Sequence, residues 1–193
     1  MHNSNTEKPT VCLVIPPSIF LLDERVFVSL GILKVASVLE GAGHRVEMID
    51  LSGIENYEDV IRDHMQTSKA QIFGLTSTTP QMPATAKAAQ TIREENPRVK
   101  LILGGPHCTL VHTAFKKESL EGTRGRATTA MNRLLELFNV VAVGDGEEAI
   151  FEALREDSEK IVDANDRNSR MFLDNRRLEK LPMPARHLVD MKS

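Results

Sequence analysis

The chain has 193 residues, enough for one sizeable domain with its own core plus an extension and cramped for two full domains. Its 41% apolar and 26% charged content is ordinary for a soluble globular protein, and a net charge of −3 gives no electrostatic case for nucleic acid or an anionic membrane. Residues 1–10 are polar, and no run reaches the roughly 20 apolar residues needed to span a bilayer, so a disordered N-terminus on a cytoplasmic protein with no membrane or nucleic-acid partner is expected.

In chain order, Val11–Ile15 is a short apolar run of strand type that ends at Pro16-Pro17. Leu30–Leu39 then carries apolar residues at helical spacing, with Ser29 as its N-cap and Gly41 and Gly43 as its stop. Strand Arg45–Asp50 and helix Tyr57–Met65 follow, then strand Gln71–Thr76 and helix Ala84–Glu95 between Pro83 and Pro97. Strand Val99–Leu103 leads to a long mixed-charge connection over Thr113–Thr128, read as a cap, a docking segment or a solvated insertion. Helix Ala127–Phe138, strand Val140–Val143 and helix Glu147–Arg155 complete five strand–helix units. The expected fold is α/β: a doubly wound, five-stranded parallel sheet of flavodoxin-like or Rossmann-like type, covered by helices on both faces, over residues 11–156. Beyond it, Lys160–Val162 and Met171–Leu173 suggest a small hairpin, and Leu181-Pro182-Met183-Pro184 an extended connector or a strap across the sheet, over residues 157–193.

Three small or hydroxyl-rich loops fall at the carboxyl ends of predicted strands: Ser77-Thr78-Thr79, Gly104-Gly105-Pro106-His107 and Gly144-Asp145-Gly146-Glu147-Glu148. Ligands of open parallel sheets sit outside those ends, so the three loops together point to a large, flat or phosphate-bearing cofactor. The first loop, Pro16-Pro17-Ser18-Ile19-Phe20, lacks the Gly-x-Gly-x-x-Gly of a nicotinamide site, and no phosphate-binding loop ending in Gly-Lys-Ser/Thr exists. A phosphoacceptor is excluded because Thr76, Ser77 and Thr78 stand where its carboxylate belongs, and a single serine, Ser18, suits flavin phosphate poorly.

These residues carry a family resemblance. Gly31-Ile32-Leu33, Gly43-His44-x-Val46, Ser77-x-Thr79, Gly104-Gly105-Pro106-His107 and Gly144-x-Gly146-Glu147-Glu148 resemble, in order and position, the cobalamin-binding domain that precedes the catalytic barrel of B12-dependent radical SAM enzymes. The likeness runs from about Val11 to Leu154, and Leu178–Asp190 is similar to that family's connector into the barrel. It implies cobalamin as cofactor, with Pro17, Ser18, Gly31, Ser77, Thr78, Thr79, Gly104, Gly105, Pro106, His107, Gly144, Gly146 and Glu147 around it. Ser77 and Gly104-Gly105 would flank the slot for the nucleotide tail, Gly144 and Gly146 would border the corrin edge, and Glu147 would cap the last helix or meet a corrin amide. The same glycines can instead serve only tight strand-to-helix turns.

The segment from Pro16 to Val28 contains no histidine, in contrast to the Asp-x-His-x-x-Gly of methionine-synthase-like members. The resemblance therefore implies base-off cobalamin with no histidine ligand from this domain; Ile19, Phe20, Leu21 and Leu22 would make its lower face apolar, or equally pack under the first helix. With two cysteines and no Cys-x3-Cys-x2-Cys, a [4Fe–4S] cluster and S-adenosylmethionine would belong to a catalytic domain absent from this chain. His107-Cys108-x3-His112 supplies three short-spaced metal ligands but not four, Asp63-His64 is expected at the surface, and no residue is assigned as catalytic or as a metal ligand. The expected function is the cobalamin-holding part of a radical SAM methyltransferase or related enzyme; the alternative is an interaction or regulatory domain that keeps the fold without the cofactor.

Overall fold

The computed structural model describes residues 8–18 and 29–189. Six strands form one sheet in the order β2-β1-β3-β4-β5-β6, every pair parallel. They are β1 (Val11–Ile15), β2 (Val46–Asp50), β3 (Ile72–Thr76), β4 (Lys100–Gly104), β5 (Val140–Val143) and β6 (Ile161–Asp163). The helices are α1 (Leu30–Gly41), α2 (Tyr57–Thr67), α3 (Met82–Glu95), α4 (Pro106–Leu120), α5 (Arg126–Leu137), α6 (Gly146–Leu154) and the short α7 (Asn175–Leu178).

Successive strand residues point to opposite faces, and this alternation divides the core in two. Cys12, Val14, Phe73, Leu75, Leu101, Leu103, Val141 and Val143 face one side, where they pack with Ile61 of α2, Ile92 of α3, Cys108 of α4 and Leu134 of α5. Leu13, Ile15, Ile72, Ile102, Val140 and Ala142 face the other, against Ile32, Ala36 and Leu39 of α1 and Ala149, Ile150 and Ala153 of α6. Four helices thus cover one face and two the other. That second face, over the middle of the sheet, has room for something else.

The structure corrects three expectations. The sheet has six strands rather than five, because Ile161–Asp163 pairs with β5 in parallel instead of turning back as a hairpin, and Met171–Leu173 adopts no strand. Val162 and Ala164 are buried there, so burial of a short apolar edge outweighed the hairpin signal around it. The connection expected over Thr113–Thr128 is largely the second half of α4 and the start of α5. Proline at the first helical position lacks only an N–H that has no partner inside the helix, so Pro106 opens α4 and Pro83 sits inside the first turn of α3. Ser29 does occupy the N-cap of α1, but its side chain makes no capping bond.

The C-terminal segment doubles back onto α1. The Ala185 N–H donates to the Leu33 carbonyl at 3.0 Å, His187 Nε2 lies 3.0 Å from Glu40 Oε1, and Leu181, Leu188 and Val189 pack on the α1–α6 side. Among the described residues no helix is long and apolar enough to cross a membrane. The expectations for residues 1–7 and for Ile19 to Leu22 lie outside the described residues.

Candidate functional site

Strand order reverses between β1 and β3, which places a crevice at the carboxyl ends of the central strands. A cavity of about 820 Å³ opens there, between the second sheet face and helices α1 and α6. Pockets that enclose small molecules run from about 300 to 1,000 Å³. The floor is apolar, built from Leu13 and Ile15 of β1, Gly74 of β3, Ile102 of β4 and Ala142 of β5; Ile32, Val35 and Ile150 form the helical wall. Polar groups sit at the rim: Ser18, Ser29, Ser52, Thr76, Thr78, Gln81, Thr109, Asp145, Glu147 and Asn165.

Nine of the thirteen sequence-predicted residues line this cavity: Ser18, Gly31, Thr78, Gly104, Gly105, Pro106, Gly144, Gly146 and Glu147. Their glycines divide by what a side chain would meet. A Cβ on Gly31 or Gly104 would meet nothing within 4 Å, so these two keep the slot open. Gly105, at φ +96°, has Ser77 backbone nitrogen and oxygen at 2.8 and 2.9 Å from that position, and Gly144, at φ +86°, has the Asn165 nitrogen at 2.6 Å. Those two allow loops to touch, while also lining the cavity. Gly146 lets α6 cross α1, since a Cβ there would lie 2.8 Å from Val35 Cγ2. Glu147 is buried at the start of α6 and has Lys34 Nζ at 4.0 Å.

Pro17, Ser77, Thr79 and His107 do not line the cavity. Ser77 is fully buried on the opposite side of its strand end, where its hydroxyl donates to the Thr78 carbonyl at 2.9 Å and accepts from Thr85 Oγ1 at 3.0 Å. Its backbone also clasps the neighbouring loop, accepting from His107 N–H at 3.0 Å and donating to the Gly104 carbonyl at 3.1 Å. His107 Nδ1 lies 3.1 Å from Thr79 Oγ1, and burial lowers its pKa. Thr76 and Thr78, two apart on the cavity side, are the hydroxyls that reach the slot. The period of two along β3 carried that signal, and counting from the end of the strand rather than from its faces missed Thr76.

Gln81 and Thr109 were also missed. Gln81 Oε1 accepts from the N–H and hydroxyl of Thr78 at 3.0 and 2.9 Å, and its Nε2 donates to the Pro16 carbonyl at 2.8 Å, which fixes the loops after β1 and β3 to each other. Thr109 performs the same service between the loops after β4 and β5, donating to the Gly105 carbonyl at 3.2 Å and accepting from Gly144 N–H at 3.1 Å. Both are longer-range ties that local spacing cannot express.

The His107-Cys108-x3-His112 segment is dispersed by α4. Cys108 is buried, its thiol pushed up to about 12 by burial while it donates to the carbonyls of Gly105 and Ala142. His112 turns toward Asp163 of β6, Nδ1 to Oδ2 at 3.7 Å, where Lys116 Nζ also lies at 2.6 Å. Burial lowers the His112 pKa against the pull of Asp163. His64, expected at the surface, is half-buried on α2 beside Glu47 at 3.1 Å, away from the cavity.

A family model described as the B12 binding domain matches residues 24–135, more than half of the chain. The chain belongs to the B12-binding domain family. The chain is similar to the anaerobic magnesium-protoporphyrin IX monomethyl ester cyclase of Rubrivivax gelatinosus, with 30% identity over 86 residues, which make up 44% of this chain and 16% of that protein. Among solved structures it is similar to OxsB, a cobalamin-dependent S-adenosylmethionine radical enzyme with aqua-cobalamin bound, at 17% identity and TM-score 0.49 over 76% of this chain and 18% of that one. It is also similar to TsrM, a radical S-adenosylmethionine methyltransferase from Kitasatospora setae, at 15% identity and TM-score 0.46 over 67% of this chain and 25% of that one. A cobalamin-binding protein from Desulfitobacterium hafniense DCB-2 gives 15% identity and TM-score 0.41, covering 68% of this chain and 59% of that one. The chain spans less than two thirds of the length of each of these proteins.

Proposed function

We propose that the slot between the sheet and helices α1 and α6 holds the nucleotide tail of a cobalamin, and that this domain serves a radical SAM catalytic domain of methyltransferase type. The observation that carries the reading is the slot's construction: an apolar floor closed at Gly74 and Ala142, with a polar rim and two glycines, Gly31 and Gly104, that keep it clear. An aromatic base suits the apolar depth, where burial excludes water, and the sugar, phosphate and amide groups of the cofactor suit the hydroxyl and amide rim. Helices α4 and α6 start directly after Gly105 and Asp145, two residues that line the slot, so the positive ends of both helix dipoles lie at the same rim.

The residues therefore fit the cofactor. When bound, cobalamin supplies a cobalt centre that carries a methyl group for transfer. This chain's part is to bind and orient: Thr76, Thr78, Gln81, Thr109 and Asn165 offer hydrogen bonds, while Ile15, Ile32, Ile102 and Ile150 keep the interior dry. None of the described residues lining the slot is a histidine, and the segment from Pro16 to Val28 holds none, which supports base-off cobalamin without a histidine ligand from this domain. The family-like segment from Leu178 onward supports a following catalytic domain, to which the iron–sulfur cluster and S-adenosylmethionine are assigned.

The test is retention of hydroxocobalamin after removal of free ligand, read by visible absorption and compared with Gly104→Trp. Near-stoichiometric retention by the wild-type chain and its loss in a folded Gly104→Trp variant are expected. No retention by well-folded wild-type protein overturns binding by this domain and returns the interaction-domain reading.

A further inference from the structure

The amino end of the sheet, opposite the slot, carries a second cluster of ligating side chains. Cys12 of β1 and Glu47 of β2 are register partners on adjacent parallel strands, so their side chains stand next to each other on one face. His64, in the last turn of α2, comes down onto the pair. Its Nε2 lies 3.6 Å from Cys12 Sγ and 3.1 Å from Glu47 Oε2, and the three ligand atoms are all within 4.8 Å of one another.

The two spacings from Nε2 lie within about 0.3 Å of those around a shared metal ion. With bonds of about 2.3 Å to sulfur and about 2.0–2.2 Å to nitrogen or oxygen, tetrahedral angles put S and N about 3.6 Å apart and N and O about 3.4 Å apart. Glu47 is moreover a carboxylate at a core-facing position, the same face that carries Ile49, and its side chain is only 15% exposed. Charge at such a position needs partners. Ser68 provides outer support: its Oγ accepts from Ala70 N–H at 3.0 Å and so turns its proton to Glu47 Oε2 at 2.6 Å, fixing the carboxylate from behind.

We infer that Cys12, Glu47 and His64 form a binding site for a zinc-class divalent cation, which pins β1, β2 and α2 together at the amino end of the sheet. One thiolate, one imidazole and one carboxylate are a borderline-soft donor set that suits zinc, and the fourth position falls to solvent on the side where His64 is exposed. On binding, the thiol proton leaves to the medium, His64 gives up its Nε2 proton and stays neutral with a proton on Nδ1, and the cation replaces the hydrogen bond from Nε2 to Glu47 Oε2. The site is separate from the slot, and the inference stands whether or not the domain holds cobalamin.

The test is titration of the metal-freed chain with aqueous Co(II), which reports thiolate ligation through a near-ultraviolet sulfur-to-cobalt charge-transfer band and yields to zinc. Saturation at one equivalent is expected, with the band lost in Cys12→Ala and kept in Cys108→Ala. His64→Gln, read in a variant shown to be folded, should weaken binding at least 10-fold, and Ser68→Ala by about 10- to 100-fold. Absence of the band in the folded chain, its loss in Cys108→Ala, or unchanged affinity in His64→Gln would each overturn the site.

Discussion

The Thr109 hydroxyl accepts a hydrogen bond from the Gly144 backbone N–H at 3.1 Å, joining the helix that follows β4 to the loop that follows β5. Gly144 sits at φ +86° with the Asn165 backbone against it, so the tie helps hold a left-handed turn at the slot's rim. Thr109→Val keeps the shape and removes the acceptor. An orphaned, partly buried N–H costs about 1–3 kcal/mol, and the urea midpoint should fall accordingly. Cofactor retention should weaken in the same variant at a temperature where it remains folded; unchanged stability and retention would show that the tie is idle.

The glycines of the slot separate into two classes by substitution. Gly104→Ala adds a methyl group to open space and should change stability by no more than about 0.5 kcal/mol. Gly144→Ala forces a left-handed L-residue, at about 1–2 kcal/mol, and drives its Cβ into the Asn165 backbone. Thermal unfolding of the two variants should differ clearly, Gly144→Ala being the lower. Equal melting temperatures would contradict the assignment of Gly104 to the ligand and Gly144 to the turn.

Most of the sheet is legible in the chain because its strands are short apolar runs bounded by turn residues, and Val11–Ile15 and Val140–Val143 coincide with the expected spans. What failed did so for physical reasons. Thr113–Thr128 reads as a loop through its mixed charge, yet Gly122, at φ +66°, closes α4: its N–H donates to the Ser119 carbonyl and the Thr123 N–H to the Glu118 carbonyl, the bonding of a helix stop. β6 reads as one arm of a hairpin, and its three residues do not encode that it pairs in parallel with β5 instead. The meeting of Cys12, Glu47 and His64 comes from strand register and helix placement, which neighbouring residues do not encode.

Acid should weaken the fold in two stages. Burial holds the imidazoles of His107 and His112 below the ordinary histidine range, so the unfolded chain takes up protons that the folded one resists. Stability is therefore lost as pH falls through about 6.5 toward their lower folded values. Asp163 adds a later loss: burial raises its pKa, but the Lys116 hydrogen bond, Asn165 N–H and His112 together hold it below the usual aspartate range. That contribution is complete above about pH 4 and disappears as pH falls through the folded value. Urea midpoints measured at about pH 7.5 and about pH 5 should differ in the wild type and converge in a His107→Gln/His112→Gln chain. An unchanged slope in the double variant would place the acid sensitivity elsewhere.

Glu118 organises the turn between α4 and α5. Its carboxylate accepts from the Thr128 hydroxyl at 2.6 Å and from the N–H groups of Thr128, Gly125 and Ala127 at 2.8 to 3.0 Å, holding its pKa at about 2. A negative charge at the N-terminus of α5 also complements the helix dipole. Because the folded pKa is depressed, the stabilisation is present above the unfolded carboxylate value of about 4.3 and lost as pH falls through about 2. Glu118→Gln retains an acceptor oxygen without the charge and should lower the melting temperature at neutral pH, and Glu118→Ala, which leaves the N–H groups to solvent, should lower it further. Hydrogen exchange at Ala127 and Thr128 should accelerate in both variants in the same order. If the two melt like the wild type and protect those amides equally, then the helical segment Pro106–Leu120 is joined to α5 by core packing, as of Leu134 with Cys108, and not by this carboxylate.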